Sequence, residues 1–169
     1  SGWQQTVDYL NELGYKVVVI QKEPLGWMDT PFLKNVIHPE ATDLEQAASW
    51  IQHCEFFVGL GSGMSWLAWS LGKKVVLISG FSSAEEEFYN PYRVTNAKVC
   101  HECWNNTDYK FDKGDWNWCP EHKGTDRHFE CSKQISFEMV KEKIDKIIHN
   151  KKNKIGIQFL AYNCQKSFK

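Results

Sequence analysis

No stretch of this chain approaches the roughly 20 consecutive apolar residues needed to span a bilayer, so insertion into a membrane is not expected. Arginine is scarce, occurring only at Arg93 and Arg127, and the formal net charge is −1. That balance leaves no electrostatic footprint for nucleic acid or for an anionic membrane surface. The amino end, Ser1-Gly2-Trp3-Gln4, has neither a basic-then-apolar signal region nor an initiator Met, so it reads as a cut end of a cytoplasmic protein. Internal repeats and low-complexity segments are missing too. A length of 169 residues suffices for one well-cored domain plus an appendage and falls short of two full domains. What the chain has in unusual supply is tryptophan, eight in all.

The centre of the sequence runs from Phe56 to Leu71: a short apolar run, glycines at 59, 61 and 63, then an apolar helical pattern. Strand, tight loop and helix start follow from that order. The glycines let the backbone turn and approach a ligand, while the helix start aims unpaired N–H groups and its positive dipole end at the same place. Ser62 and Ser65 add hydroxyl donors. Two readings stand: a phosphate cradle at Gly61, Ser62, Gly63, Met64 and Ser65, or a glycine-rich turn that binds nothing. The spacing is neither Gly-x-Gly-x-x-Gly nor a P-loop, and no carboxylates cluster nearby at ligand spacing, so binding without magnesium is expected.

In chain order, Trp3, Val7, Leu10 and Leu13 give a first amphipathic helix closed by Gly14. Lys16 to Ile20 is a continuous β-branched run, the pattern of a parallel strand covered on both faces. Gln21 to Leu33 then reads as a loop off that strand's carboxyl end, where α/β proteins place ligands. Glu23 there is either a ribose acceptor or an unpartnered loop carboxylate. Thr42 with Glu45 predicts a capping box for a second helix through Leu44, Ala47, Ala48 and Ile51. His53 and Cys54 read as packing residues. After the glycine loop, Gly72 stops the third helix and Lys74 to Ile78 forms another buried strand. The alternation predicts a right-handed Rossmann-like parallel sheet with flanking helices. Gly80, Phe81 and Ser82 open a second ligand-side loop, and the Ser-Ser-Ala-Glu run within it can cap a short helix. Arg93 is either a phosphate clamp or a partner of the acidic Glu85-Glu86-Glu87 run. A last helix runs from Ser136 to Asn150. The expected divisions are 1–98 for the Rossmann-like nucleotide-sugar-binding domain, 99–133 for a four-cysteine metal finger, 134–150 for the closing helix of the Rossmann-like domain and 151–169 for a basic, weakly patterned extension.

Cys100, Cys103, Cys119 and Cys131 read C-x2-C-x15-C-x11-C, spacing that can wrap one tetrahedral ion. In a reducing cytosol such a cluster reads as metal ligands rather than disulfides. Zinc and iron both accept four thiolates, and the ion would be structural because no coordination position is left open. His101, His122 and His128 are left over, and Cys54 and Cys164 lie outside the cluster. The finger's aromatics, Trp104, Tyr109, Phe111, Trp116 and Trp118, offer a contact surface between subunits of a homo-oligomer.

The finger and its surroundings, Cys100-His101-Glu102-Cys103-Trp104-Asn105, Phe111-Asp112, Trp118-Cys119-Pro120, Gly124-Thr125 and Phe129-Glu130-Cys131, resemble the bacterial autotransporter heptosyltransferases. The pattern continues in Gly61-Ser62-Gly63-Met64-Ser65-Trp66-Leu67-Ala68-Trp69, Ser79-Gly80-Phe81-Ser82 and Phe88-Tyr89-Asn90-Pro91-Tyr92-Arg93-Val94. The resemblance implies a GT-B glycosyltransferase, of which this is the carboxyl-terminal, donor-binding half. It also implies heptose transfer from ADP-heptose to serines of autotransporter adhesins, and an iron-bearing four-cysteine finger. Related lipopolysaccharide heptosyltransferases show Asp-Thr-Gly-x-x-His where this chain has Gly61-Ser62-Gly63-x-x-Trp66, which fits the protein-modifying branch. No residue here is assigned as catalytic base, which is expected in the other half. Transfer to a surface glycan and a non-catalytic metal-finger interaction module stand as alternatives.

Overall fold

The computed structural model describes residues 2–21, 32–39, 43–112, 114–115 and 118–150, together with the backbone of a strand at 157–161. Helix α1 (Gly2–Glu12) buries Trp3, Val7 and Leu10. Leu13 lies past its end and is exposed, outside the stripe expected of it. Gly14 takes φ +85° there, and the Tyr15 amide reaches back to the Leu10 carbonyl at 3.0 Å, so the helix ends as its glycine predicts. Strand β1 (Lys16–Ile20) follows, then α2 (Leu44–Gln52), β2 (Phe56–Leu60), α3 (Gly63–Ser70), β3 (Lys74–Ile78) and β4 (Arg93–Val94). A short α4 (Glu130–Lys133) precedes the long α5 (Phe137–His149) and a final strand β5 (Ile157–Ala161).

All the strand pairs are parallel and the spatial order is β1-β5-β2-β3-β4. Lys16 pairs with Ile157 and Phe57 with Phe159, so β5 sits between β1 and β2. This corrects the reading of 151–169 as a mere extension: part of it is an interior strand of the sheet. The pattern missed it because five residues interrupted by Gln158 and preceded by lysines carry no strand period of their own.

Alternate strand residues face opposite layers, which explains the unbroken apolar runs. Val17, Val19, Phe56, Val58, Val76 and Ile78 pack with α1 and with Val140, Ile144 and Ile147 of α5. Val18, Ile20, Phe57, Val75 and Leu77 pack on the other side with Ala47 and Ile51 of α2 and Ala68 of α3. The α2 cap is Asp43, whose carboxylate accepts the Gln46 amide at 2.8 Å; it stands one residue beyond the predicted Thr42, which lies outside the described residues. Gly72, at φ +74°, ends α3 as expected, with the Lys73 amide bonded back to the Ala68 carbonyl. Because the sheet is parallel, the loops after β2, β3 and β4 leave the same edge.

Candidate metal centre and glycine loop

At that edge β2 runs through Gly61 and Ser62 straight into α3. Ser62 is the helix cap but makes no side-chain capping bond. Its carbonyl accepts the amides of Ser65 and Trp66, leaving those of Gly63 and Met64 without a partner in the helix. Gly61 and Gly63 are exposed, and a Cβ at Gly63 would meet nothing. The other two members of the expected cradle are occupied. Ser65 is fully buried, its hydroxyl donating to the Leu60 carbonyl at 2.6 Å, and Met64 packs against the α2 and α3 core. Only backbone groups and Ser62 therefore face outward.

A carboxylate that sequence reasoning left in an acidic run stands beside this loop. Glu87 fills the space a Cβ at Gly61 would take. Its side chain is 5% exposed, and that burial holds the carboxyl above the usual carboxylate range. Ser79 Oγ donates to Glu87 Oε1 at 3.1 Å and accepts from Arg93 Nη2 at 3.3 Å. Of the two readings of Arg93, the ion-pair one describes its contacts. Nε faces Glu87 Oε2 at 3.8 Å, Nη1 donates to Glu102 at 3.4 Å, and Nη2 also donates to the Ser82 carbonyl. The second loop is turned toward the finger: Glu102 and Trp104 donate their amides to the carbonyls of Gly80 (2.9 Å) and Phe81 (3.1 Å). A short capped turn follows at Ala84–Glu86, with Ser83 and Glu86 forming the box. Glu23 lies outside the described residues.

Cys100, Cys103, Cys119 and Cys131 are free thiols lining one cavity of about 10 Å³, with Phe81 and Trp118 in its wall. That volume admits one small body. Burial pushes the Cys103 thiol up to about 12, and its three fellow cysteines add to the rise. Burial also raises Cys131 and Cys100, the latter helped by Glu121 and by the other sulfurs. Thiols at Cys100, Cys103 and Cys131 whose ionisation burial disfavours share this void with Cys119, and a thiophilic cation would reverse that penalty, so the donor chemistry suits a metal, although the four sulfurs are not drawn together as one closely spaced set. The donor set suits iron and zinc alike.

His122, set aside in the sequence, is brought here. Its Nε2 is buried without a hydrogen bond, 3.7 Å from carboxylate oxygens of both Glu121 and Glu130. Cys100, His122 and Glu130 offer donor atoms within 4.8 Å of one another. The overlooked signal was the C-x2-H spacing from Cys119. Glu130 accepts from the Cys100 amide at 3.0 Å and from Arg127, and the guanidinium first, then that amide, hold its carboxyl down to about 2. The aromatics face outward only in part: Phe111 is 43% exposed, Trp104 and Tyr109 are half-buried, and Trp118 is turned inward. Trp104 packs on Phe81 and Phe111, and Trp118 packs on Phe81 and Phe111 while only 8% exposed. Trp116 lies outside the described residues.

Residues 33–116 match glycosyltransferase family 9 (heptosyltransferase). The autotransporter heptosyltransferase Aah of Escherichia coli is 47% identical over 82% of this chain and 37% of Aah. A solved structure of TibC, an iron-containing dodecameric glycosyltransferase of enterotoxigenic E. coli H10407, superposes with a TM-score of 0.80 at 38% identity, covering 88% of this chain and 40% of that one. TibC has also been solved with ADP-D-beta-D-heptose. BimC of Burkholderia thailandensis, described as an inactive autotransporter heptosyltransferase, is 38% identical over 87% of this chain and 36% of BimC. The chain thus spans well under half the length of these relatives. No helix among the described residues is long and apolar enough to cross a membrane. On the family match and these likenesses, the chain belongs to the heptosyltransferases of glycosyltransferase family 9, on their autotransporter branch.

Proposed function

We propose that this chain is the donor-binding part of a cytoplasmic GT-B heptosyltransferase that moves heptose, or a related sugar, from an ADP-sugar to serine hydroxyls of an autotransporter-type protein. The observation that carries this is the start of α3, where the amides of Gly63 and Met64 stand open at the sheet's carboxyl edge. Amides and helix dipole favour an anion there without magnesium. A departing diphosphate gains charge as the sugar bond breaks, so the same groups stabilise the transition state. Gly80 to Ser82, and Glu23, which follows β1 in the sequence, are the proposed nucleoside contacts. Cys100, Cys103, Cys119 and Cys131 would hold one iron or zinc ion, which supplies a cross-link between loops rather than chemistry on the sugar. Acceptor groove and base belong to other parts of a longer protein, and assembly into a homo-oligomer is proposed by analogy with TibC.

Gly63→Asp tests the donor site by calorimetry. A carboxylate at the first helical position suits the helix dipole yet stands in the anion's path, and Gly63 has room for it. Gly61 does not, because Glu87 is already there. The variant is expected to melt like the parent while its ADP affinity falls at least about tenfold. Equal affinity, or no ADP binding by either at millimolar concentration, would mean the donor sits elsewhere. The likeness to BimC favours a second reading, a non-catalytic metal-finger module, and failure of the parent to bind ADP would favour it.

A further inference from the structure

A chain of polar contacts runs from the cysteine finger to the glycine loop. Glu102 stands between two of the cysteines with a left-handed backbone, φ +59°, and its carboxylate accepts from Arg93 Nη1 at 3.4 Å. The Arg93 side chain is 17% exposed, and its other arm donates to Ser79 Oγ at 3.3 Å and to the Ser82 carbonyl. Beyond it lies Glu87, one of whose oxygens rests where a Cβ of Gly61 would be.

The last link is unfinished. Arg93 Nε and Glu87 Oε2 are opposite charges 3.8 Å apart, both buried, and neither makes a hydrogen bond. A buried pair so close gains by closing into a charge-assisted bond. Arg93 can close it only by giving up Ser82 or Glu102, because the planar guanidinium moves as one body. Two sets of partners therefore compete for it, one on the finger side and one on the loop side.

We propose that Arg93 and Glu87 are positioning residues that carry the state of the metal finger to the glycine loop. This rests on the metal and donor readings above. With the finger closed around its ion, Glu102 is fixed and holds Arg93 in place, so Glu87 stays pressed on Gly61 and supports the backbone from Ser62 to Met64. With the ion removed, Glu102 loosens, Arg93 turns to Glu87, and the carboxylate draws back from Gly61.

The test is amide hydrogen exchange at residues 61–66 of the metal-loaded chain and of the chelated chain, with metal content and ADP affinity measured on the same samples. Chelation is expected to speed exchange there by about 2- to 30-fold while leaving β3 unchanged. Glu102→Asn keeps a residue that tolerates the left-handed backbone but falls one methylene short of Arg93. It is expected to show the faster loop exchange with its metal still bound, and chelation should then add nothing at the loop. Arg93→Lys, which touches no cysteine and replaces the fork by a point charge, should behave alike and decides the matter if Glu102→Asn releases its metal. Loop exchange that stays at the parent rate in a metal-bound variant, or that chelation speeds equally in parent and variant, overturns the proposal. Metal-dependent exchange in a parent that binds no ADP sustains the coupling and sinks the donor reading; ADP binding without metal-dependent exchange sinks the coupling alone.

Discussion

Gly80 shows how little room one residue can be left at the sheet edge. Any side chain there would run into the carbonyl of Cys131, backbone that cannot swing aside as a side chain would. Gly80→Ala is expected to push α4 outward and to cost about 1–3 kcal/mol, read from denaturant midpoints. Cys119, 8% exposed, tests the finger from the other side. Cys119→Ser should release the metal by elemental analysis and flatten the near-ultraviolet signal of Trp104 and Trp118, while the far-ultraviolet spectrum holds because the main core lies elsewhere. That the four cysteines would gather at one void was legible because C-x2-C spacing is local chemistry. Glu87 was not, since its approach to Gly61 is a product of tertiary folding that no spacing records. Ser65 was legible as a hydroxyl at the right place, but only the structure shows that hydroxyl bonded to Leu60.

At the scale of elements, α1, α2, α3 and α5 declared themselves through their 3.6-residue period, α1 and α3 also through their glycine stops, and the strands β1 to β3 through apolar, mostly β-branched runs, while the four-residue α4 carried no such signal. Strand β5 had neither aid. Its place between β1 and β2 makes a sharp expectation. Ending the chain at Asn150 would remove none of the described helices, yet it would split the sheet and leave β1 joined to nothing on that side. Such a truncation should lose cooperative thermal unfolding, measured by calorimetry, instead of merely shifting its midpoint. Were residues 151–169 only an extension, the truncated chain would melt as the parent does.

For the molecule as a whole, two apolar layers cover the sheet and the finger is clamped to its carboxyl edge, beside the loop proposed to hold the donor. Glycosyl transfer also needs an acceptor and a base held against the sugar carbon, and proximity supplies much of the rate. The purified chain is therefore expected to bind ADP but to transfer no sugar to a serine-containing acceptor, with mass spectrometry of the acceptor as the measurement. Detectable transfer would place the acceptor machinery within these residues.

The position of β5 also sets the order in which the fold can be made. Lys16 finds its partner at Ile157, almost the whole chain later. Until β5 arrives, β1 and β2 must not zip together, for doing so would close the slot that strand needs. The edges of β1 and β2 thus stay unsatisfied while the residues between them and β5 are made, the condition under which misfolding and aggregation compete best. The arrival of β5, rather than stepwise growth, is the event that completes this sheet.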